Sequence, residues 1–331
     1  MKKRILLLLL CLLILTLCLY FFVSRKENTS TPPREDFTSH NEDTTTPSRE
    51  DFTYKLSDDG TYYTLTGLGI YSNPQLIIPN HYNNKPVKEI GENAFCNCSI
   101  FTSVIIPDNI KMISGPAFNS CDGLESVTIG GGVEIIGQGA FSNCSKLKSI
   151  DVSSKNLVYT SIDGNLYSKD GKELIQYANG KSDDEFVIPN DVTNIGSNAF
   201  ANSIDLKKIT LGSNVENVSP YAFANCIGLE NIILSDRLKR IGPSSFYNCT
   251  ALTDIIIPNS VEKIYFSAFQ GCVRLKNITF EDLNSWYRTK TETEFKNKNG
   301  GIETNVSNSE LNSTYFKETY KNYFWYRKEK L

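Results

Sequence analysis

Residues 133–152 read VEIIGQGAFSNCSKLKSIDV, and the same arrangement of apolar residues, an alanine-phenylalanine pair and a cysteine recurs along the chain. The recurring phenylalanines are separated by 23, 23, 59, 23, 23 and 23 residues: Phe95, Phe118, Phe141, Phe200, Phe223, Phe246 and Phe269. A fixed period of this size is typical of stacked supersecondary units. One such unit is too small to bury its own apolar side chains, so the units must stack on each other into a continuous core.

Apolar residues keep fixed places around each phenylalanine. They stand eight and five residues before it, as at Val133 and Ile136, and six, nine and eleven residues after it. The last two places are two residues apart, which puts both side chains on one face of a strand. The sequence therefore predicts a β-rich repeat solenoid with a 23-residue period and a parallel strand ladder.

The cysteines follow the same register. Six of the nine lie three residues after a phenylalanine: Cys98, Cys121, Cys144, Cys226, Cys249 and Cys272. Ser203 takes this place in the remaining unit, Cys11 and Cys18 lie in the N-terminal apolar stretch, and Cys96 fits neither pattern. Free cysteine behaves as a small buried hydrophobe, so these six are predicted to form a structural ladder together with the seven phenylalanines.

Two other uses of the cysteines have less support. Neighbouring coils could bring two sulfurs close enough for a disulfide, but the ladder constrains the directions of the Cβ atoms. Cys96-Asn97-Cys98 and the nearby His81 lack paired Cys-x-x-Cys elements and a fourth ligand. The sequence therefore predicts no metal site.

The full pattern is V/I-x-x-I-G-x-x-A-F-x-x-C-x-x-L-x-x-I-x-I, and it resembles the BspA-type leucine-rich repeat over about residues 76–280. Residues 60–67, GTYYTLTG, also resemble the entry cap of that family. The departures are small: Ser114, Ser219 and Tyr265 for the glycine, Ser245 for the alanine and Ser203 for the cysteine. The resemblance implies a curved, non-enzymatic, cell-surface or secreted recognition protein, often one that adheres to host proteins or to other microbes.

The N-terminus predicts export. Lys2, Lys3 and Arg4 precede an uncharged stretch, residues 5–23. As a helix it would be ~28 Å long, close to the ~30 Å hydrocarbon core of a bilayer. Its bulky end lacks the small residues of a cleavage site, which favours an uncleaved membrane anchor over a secretory signal. Cys18 follows Leu15-Thr16-Leu17, a poor pattern for lipidation.

These observations divide the chain into seven parts. A signal-anchor or transmembrane helix, or a signal peptide, is predicted for 1–24, a disordered polar tether for 25–53 and an N-terminal β cap for 54–86. Repeats fill 87–155 and, with a closing cap, 188–287. The 59-residue gap predicts an inserted β-hairpin element at 156–187, with turns at Asp163-Gly164 and at 169–172. A polar C-terminal tail is predicted for 288–331.

A partner is expected on the outward side of the ladder strands, eight and ten residues after each phenylalanine. This face is concave in leucine-rich solenoids. Most residues there are small or polar, but Ile233 and Ile256 would lie side by side on neighbouring coils and could anchor a partner. The alternative is that they reflect only the strand propensity of β-branched residues. The candidate ligand-binding residues are Ile233, Ile256, Ile105, Thr210, Thr128, Asp254 and Asn231.

Composition argues against catalysis and against nucleic acid. The chain has 34 basic and 37 acidic residues, a net charge of −3, so no basic face is expected. It has only two histidines, His40 and His81, and no catalytic motif. We therefore expect no enzyme activity, no cofactor and no nucleic acid, but a membrane-anchored, exported protein that binds a protein partner in adhesion or in host or cell-cell contact. The alternative is an envelope scaffold in the periplasm or cell wall.

Overall fold

The structure, a computed structural model, describes residues 51–283, 286–298 and 300–327. The predicted membrane or signal segment, 1–24, lies outside the described residues, as does the predicted tether, 25–53, except for its last three residues. Within the part of the chain that is described, no helix has both the length and the apolar character needed to cross a bilayer.

Short strands joined by turns wind into a β-solenoid of about nine turns. Up to the insertion the strands are β1 (Phe52–Leu56), β2 (Tyr63–Leu68), β3 (Gln75–Ile77), β4 (His81–Tyr82), β5 (Lys85–Ile90), β6 (Ser103–Ile106), β7 (Met112–Ile113), β8 (Ser126–Ile129), β9 (Ile135–Ile136) and β10 (Ser149–Val152). From there to the last regular coil they are β11 (Tyr159–Ile162), β12 (Asn165–Ser168), β13 (Glu173–Gln176), β14 (Glu185–Val187), β15 (Asn194–Ile195), β16 (Lys208–Thr210), β17 (Asn217–Val218), β18 (Asn231–Ile233), β19 (Arg240–Ile241), β20 (Asp254–Ile257), β21 (Lys263–Ile264) and β22 (Asn277–Phe280). The C-terminal elements are β23 (Trp286–Thr289), α1 (Glu292–Asn297), β24 (Ile302–Glu303), α2 (Ser309–Thr314), a π-helical turn (Tyr315–Thr319) and β25 (Phe324–Arg327).

Each regular coil gives one strand to each of two parallel ladders. The first ladder, whose outward side we call the strand face, contains β3, β6, β8, β10, β14, β16, β18, β20 and β22. The second contains β5, β7 and β9 and then β13, β15, β17, β19 and β21. Paired residues are 23 positions apart, as Ile209 and Ile232 are. This confirms the predicted solenoid and its period.

Aromatic rings stack through the core. All seven repeat phenylalanines are buried, and the Phe223 ring lies 5.1 Å from that of Phe200 and 5.2 Å from that of Phe246. Such pairs add about 0.5–1.5 kcal/mol to the free energy gained from burial alone. The thiols lie beside this stack: Cys226 donates a hydrogen bond to the carbonyl oxygen of Phe200 at 3.1 Å.

The same thiol bond recurs at Cys121, Cys144, Cys249 and Cys272, each to the phenylalanine carbonyl oxygen 26 residues earlier. Every described cysteine is a free thiol. Burial raises the pKa of Cys226 to about 12, so this side chain stays a protonated donor at neutral pH. Ser203 keeps the donor role with its hydroxyl, which bonds the side-chain oxygen of Asn179 at 3.0 Å.

Asparagines shape the turn after five of the seven repeat phenylalanines, with Ser120 and Gly271 at the same place in the other two coils. Asn225, two residues after Phe223, has a φ of 57°, and asparagine is one of the few residues that adopt this left-handed conformation readily. Its N–H donates to the carbonyl oxygen of Tyr247 in the next coil at 2.7 Å. Its side-chain oxygen accepts from the amide of Asn248 at 3.0 Å.

Hairpins form at the insertion, and an additional coil follows them. β11, β12 and β13 pair antiparallel in succession, and β13 then joins β15 in parallel. Tyr177 lies 23 residues before Phe200 and stacks on its ring at 5.0 Å. The ladder therefore resumes at Tyr177, within the predicted insertion, where a tyrosine replaces the phenylalanine of the pattern.

The C-terminal region differs from the expected polar tail. β25 pairs antiparallel with both β21 and β23 and so covers the end of the second ladder. α2 covers β22, where the Asn312 side chain donates to the carbonyl oxygen of Ile278 at 2.9 Å. Phe316 and Trp325 are buried, with ring centroids 4.4 Å apart. The cause is the last coil itself, because its exposed strand edges and apolar side need a cover.

The N-terminal cap begins inside the predicted tether, at β1. β1 and β2 form an antiparallel hairpin, and β2 then pairs in parallel with β5. Phe52 is buried, and its ring stacks on that of Tyr71 at 5.1 Å. This hairpin covers the first coil of the second ladder, as β25 covers the last.

Candidate functional site

All seven candidate residues lie on the strand face, with different exposure. Inward residues such as Ile232 and Ile255 are buried because side chains alternate along a strand, and their neighbours therefore point outward. Ile233 is 49% exposed and Ile256 is 58% exposed. Of the other candidates, Thr128, Asn231 and Asp254 are exposed. Ile105 and Thr210 are half-buried.

The candidates form two groups along the ladder. Ile105 pairs with Thr128 in the first block of coils. Thr210 pairs with Ile233 in the second block. Asn231, Ile233, Asp254 and Ile256 line one common cavity between β18 and β20. The structure thus brings four of the seven together, with Thr210 beside them.

Val187 belongs to this surface and was missed. It is 67% exposed, and it pairs with Thr210, which in turn pairs with Ile233. The signal was available, because Val187 stands ten residues after Tyr177, as Ile233 stands ten residues after Phe223. Recognising tyrosine as the aromatic residue of a coil would have found it.

The strand pairing is interrupted beside the two isoleucines. β14, β16 and β18 form one sheet and β20 and β22 another, while β19 and β21 of the same two coils remain paired on the second ladder. In the described part of the chain, β18 and β20 are not paired as strands of one sheet. A cavity of about 270 Å³ lies at this break. Ile233 and Ile256 therefore flank a cleft rather than a closed ladder.

The cleft has an acidic rim. Its lining includes the carboxylates of Asp236, Asp254 and Glu281 and no lysine or arginine. The Asp254 side chain accepts a hydrogen bond from the amide of Asn277 at 2.6 Å. That bond, with a further one from Thr253, lowers the pKa of Asp254, so its carboxylate is ionised at neutral pH.

Comparison with known proteins identifies the repeat. The family profile for the BspA type leucine rich repeat region matches residues 75–176 and 172–297, in six copies. These ranges cover more than half of the chain. The chain belongs to the BspA-type leucine-rich repeat family. The match confirms the resemblance carried by the alanine-phenylalanine and cysteine positions.

Solved structures of other leucine-rich repeat proteins are similar in part. The pneumococcal vaccine antigen PcpA is 23% identical, with 71% of this chain and 82% of that chain covered and a TM-score of 0.42. A leucine rich cell surface protein from Faecalibacterium prausnitzii is 20% identical, with 81% and 100% covered and a TM-score of 0.42. A leucine-rich repeat protein from Eubacterium ventriosum is 20% identical, with 69% and 82% covered and a TM-score of 0.46. No curated protein matches the chain.

No three His, Cys, Asp or Glu side chains gather as a metal site within the described ranges. A cavity of about 330 Å³ away from the strand face lies where the insertion meets the first block. It includes Glu173, whose carboxylate accepts from the Asn194 amide at 2.8 Å. The strand-face cleft differs from it in combining two exposed isoleucine side chains with a lining that holds three carboxylates and no lysine or arginine.

Proposed function

We propose that this BspA-type leucine-rich repeat protein is a non-enzymatic binding protein that holds a protein partner on the strand face. The observation that carries the proposal is the pair Ile233 and Ile256, both about half exposed on the two sides of one cleft. Large apolar side chains grouped on an otherwise polar surface are typical of interaction sites. Val187 and Thr210 extend the surface along the ladder.

The expected strength follows from the exposed area. Fully burying an isoleucine side chain contributes roughly 1.5–3 kcal/mol, so covering the exposed half of two contributes roughly 2–3 kcal/mol in total. That amounts to a factor of about 30–150 in affinity. The carboxylates around the cleft would set which partners approach.

The proposed location is the cell surface, with adhesion or cell-cell contact as the role. The basic residues and the apolar stretch at the N-terminus support export and anchoring. Membership of a repeat family whose stacked coils display an extended surface supports binding rather than catalysis. The predicted curvature, which would make the strand face concave, and the envelope scaffold as an alternative role both stay predictions.

Binding of intact cells that carry the chain to a panel of immobilised extracellular proteins tests the proposal. We expect Ile233→Asp/Ile256→Asp to weaken capture by at least about 30-fold, because two charges replace the apolar contact. The matched control is Ile135→Asp/Ile302→Asp, since these isoleucines are 55% and 56% exposed but lie off the strand face. Circular dichroism checks that both variants fold.

Equal loss in both double variants, or full capture by the strand-face variant, would reject the proposal. Capture by the purified chain but not by intact cells would favour the alternative role, an internal envelope scaffold.

A further inference from the structure

The break between β18 and β20 leaves backbone groups open. Asn231 donates its N–H to Lys207, and the carbonyl oxygen of Ile233 accepts from Leu211, so both residues direct their polar groups toward β16. Peptide groups alternate in direction along a strand, and Ile232 therefore faces β20. Across the break, the carbonyl oxygen of Glu230 accepts no N–H from Thr253 or Asp254, and the N–H of Leu234 does not donate to Ile256, although the equivalent bonds join β16 to β18.

The unpaired backbone carbonyl oxygens and the carboxylates of the acidic rim both favour a positively charged hydrogen-bond donor. Buried or half-buried carbonyl oxygens need donors, and the carboxylates of Asp254 and Glu281 need cations. The Asp254 carboxylate accepts from the neutral Asn277 amide and from Thr253, with the charge of Lys276 as a weaker influence, and the Glu281 carboxylate accepts from the backbone N–H of Asn259. The nearby guanidinium of Arg237 is directed away and donates to Asn214 at 3.0 Å.

The shape of the cleft restricts what can enter. Its volume of about 270 Å³ lies just below the ~300–1,000 Å³ of ordinary small-molecule pockets. It can therefore hold one long side chain rather than a folded element. Ile233 and Ile256 at its sides require that the stem of this side chain be apolar, while the rim requires a positively charged end.

Arginine meets both conditions. Its methylene stem packs along apolar surface while its head stays polar, and its guanidinium offers five donors in a fixed fork that suits carboxylates and carbonyl oxygens. We infer that the cleft between β18 and β20 receives an arginine side chain from an extended segment of the partner polypeptide. This inference rests on the proposed function and specifies the chemistry of its partner.

The probe is the tripeptide N-acetyl-Leu-Arg-Leu-amide, titrated into the full-length chain in detergent with labelled isoleucine methyl groups. The Ile233→Val and Ile256→Val variants assign the two signals by NMR. We expect both methyl signals to shift and saturate with this peptide. The peptide with glutamine in place of arginine should bind at least fivefold more weakly, as loss of about 1 kcal/mol from one exposed charge pair predicts.

A second experiment uses variants that remove the negative charge of the cleft but keep the shape of its side chains. Asp254→Asn and Glu281→Gln keep the acceptor atoms for Asn277 and Asn259 but remove the charge, and together they should weaken the arginine peptide about tenfold. Asp151→Asn is the matched control, because Asp151 is exposed on β10 of the same face, away from the cleft. Equal binding of both peptides, or binding unchanged in Asp254→Asn/Glu281→Gln, would overturn the inference.

The two proposals can fail separately. If capture of a protein partner depends on Ile233 and Ile256 but is unchanged in the carboxylate variants, the proposed function is supported and the arginine cleft is rejected. Capture that is indifferent to both isoleucines would reject the proposed function, whatever the peptide does.

Discussion

Cys226 shows what a single repeat position requires. The thiol is fully buried and donates to the carbonyl oxygen of Phe200, which also accepts the N–H of Ser203 at 3.0 Å. Serine at 203 shows that the position also accepts a small hydroxyl side chain, which donates to the side-chain oxygen of Asn179 instead of to an aromatic residue's carbonyl oxygen. Burial disfavours the thiolate, so the pKa rises from 9.0 to about 12 on folding.

This shift predicts a pH dependence of stability. Because the folded pKa lies above the unfolded one, the contribution is complete below pH 9 and is lost progressively as the pH rises toward 12. Each such thiol lowers the free energy of unfolding by about 1.4 kcal/mol per pH unit in this window. Urea unfolding at several alkaline pH values should show a slope that is smaller by this amount in Cys226→Ser.

Cys96→Ser is the control for this measurement, because Cys96 lies outside the cysteine register. A slope in Cys226→Ser equal to that of the unchanged chain would show that the thiol ionises in the folded state.

Among the elements, β25 closes the C-terminal end of the second ladder. β25 supplies the last strand pairing of β21, and Trp325 on it is fully buried against Phe316. The β21 edge that it covers would otherwise present unpaired N–H and carbonyl groups to other chains.

Trp325→Ala is therefore expected to lower the free energy of unfolding by about 3–5 kcal/mol, the usual cost of truncating a buried aromatic residue. It should also promote self-association through the uncovered edge. Chemical unfolding and size-exclusion chromatography measure the two effects, with Leu311→Ala as control because Leu311 is 43% exposed on α2. A monomer of unchanged stability would contradict the assigned role of β25.

The elements also show where sequence reasoning succeeds. Period, strand positions and inward residues could be predicted because each coil repeats the same physical solution, as the identical positions of Ile209 and Ile232 show. The cap could not, because residues such as Phe316 and Trp325 follow no period and are buried only by the coil they cover. The break between β18 and β20 was also hidden, since Ile233 and Ile256 fit the pattern as well as residues whose strands pair.

At the scale of the whole molecule, the buried apolar side chains fall into two clusters. One runs from Phe52 to Ala178 and the other from Tyr167 to Trp325. The insertion and its cavity lie where they meet. Tyr177 starts the second aromatic stack there, with its ring 5.0 Å from the rings of both Phe186 and Phe200.

Removing this ring should destabilise the second cluster at its first coil, next to the junction with the first cluster. Tyr177→Ala is expected to lower the unfolding free energy by about 3–5 kcal/mol and to separate a single transition into two, because coils are coupled only through their neighbours. Both tryptophans of the chain, Trp286 and Trp325, are buried in the C-terminal cap. Their fluorescence follows the second cluster, whereas circular dichroism follows all coils.

In the control variant Leu157→Ala, which alters a side chain 84% exposed in the insertion, the two signals should stay coincident. Coincident transitions in Tyr177→Ala would show that the clusters are coupled by other contacts.

The neighbour-only pairing of the coils also determines how the protein yields to mechanical force. A pull transmitted from the N-terminal side reaches the β1–β2 hairpin first and then peels one coil after another from the ladder. Each coil of 23 residues that is released lengthens the chain by about 75 Å, since an extended residue spans ~3.3 Å. The β18–β20 cleft lies within the second block, several coils after the N-terminal hairpin. A partner bound there would therefore stay bound while the coils before it unfold and lengthen the chain.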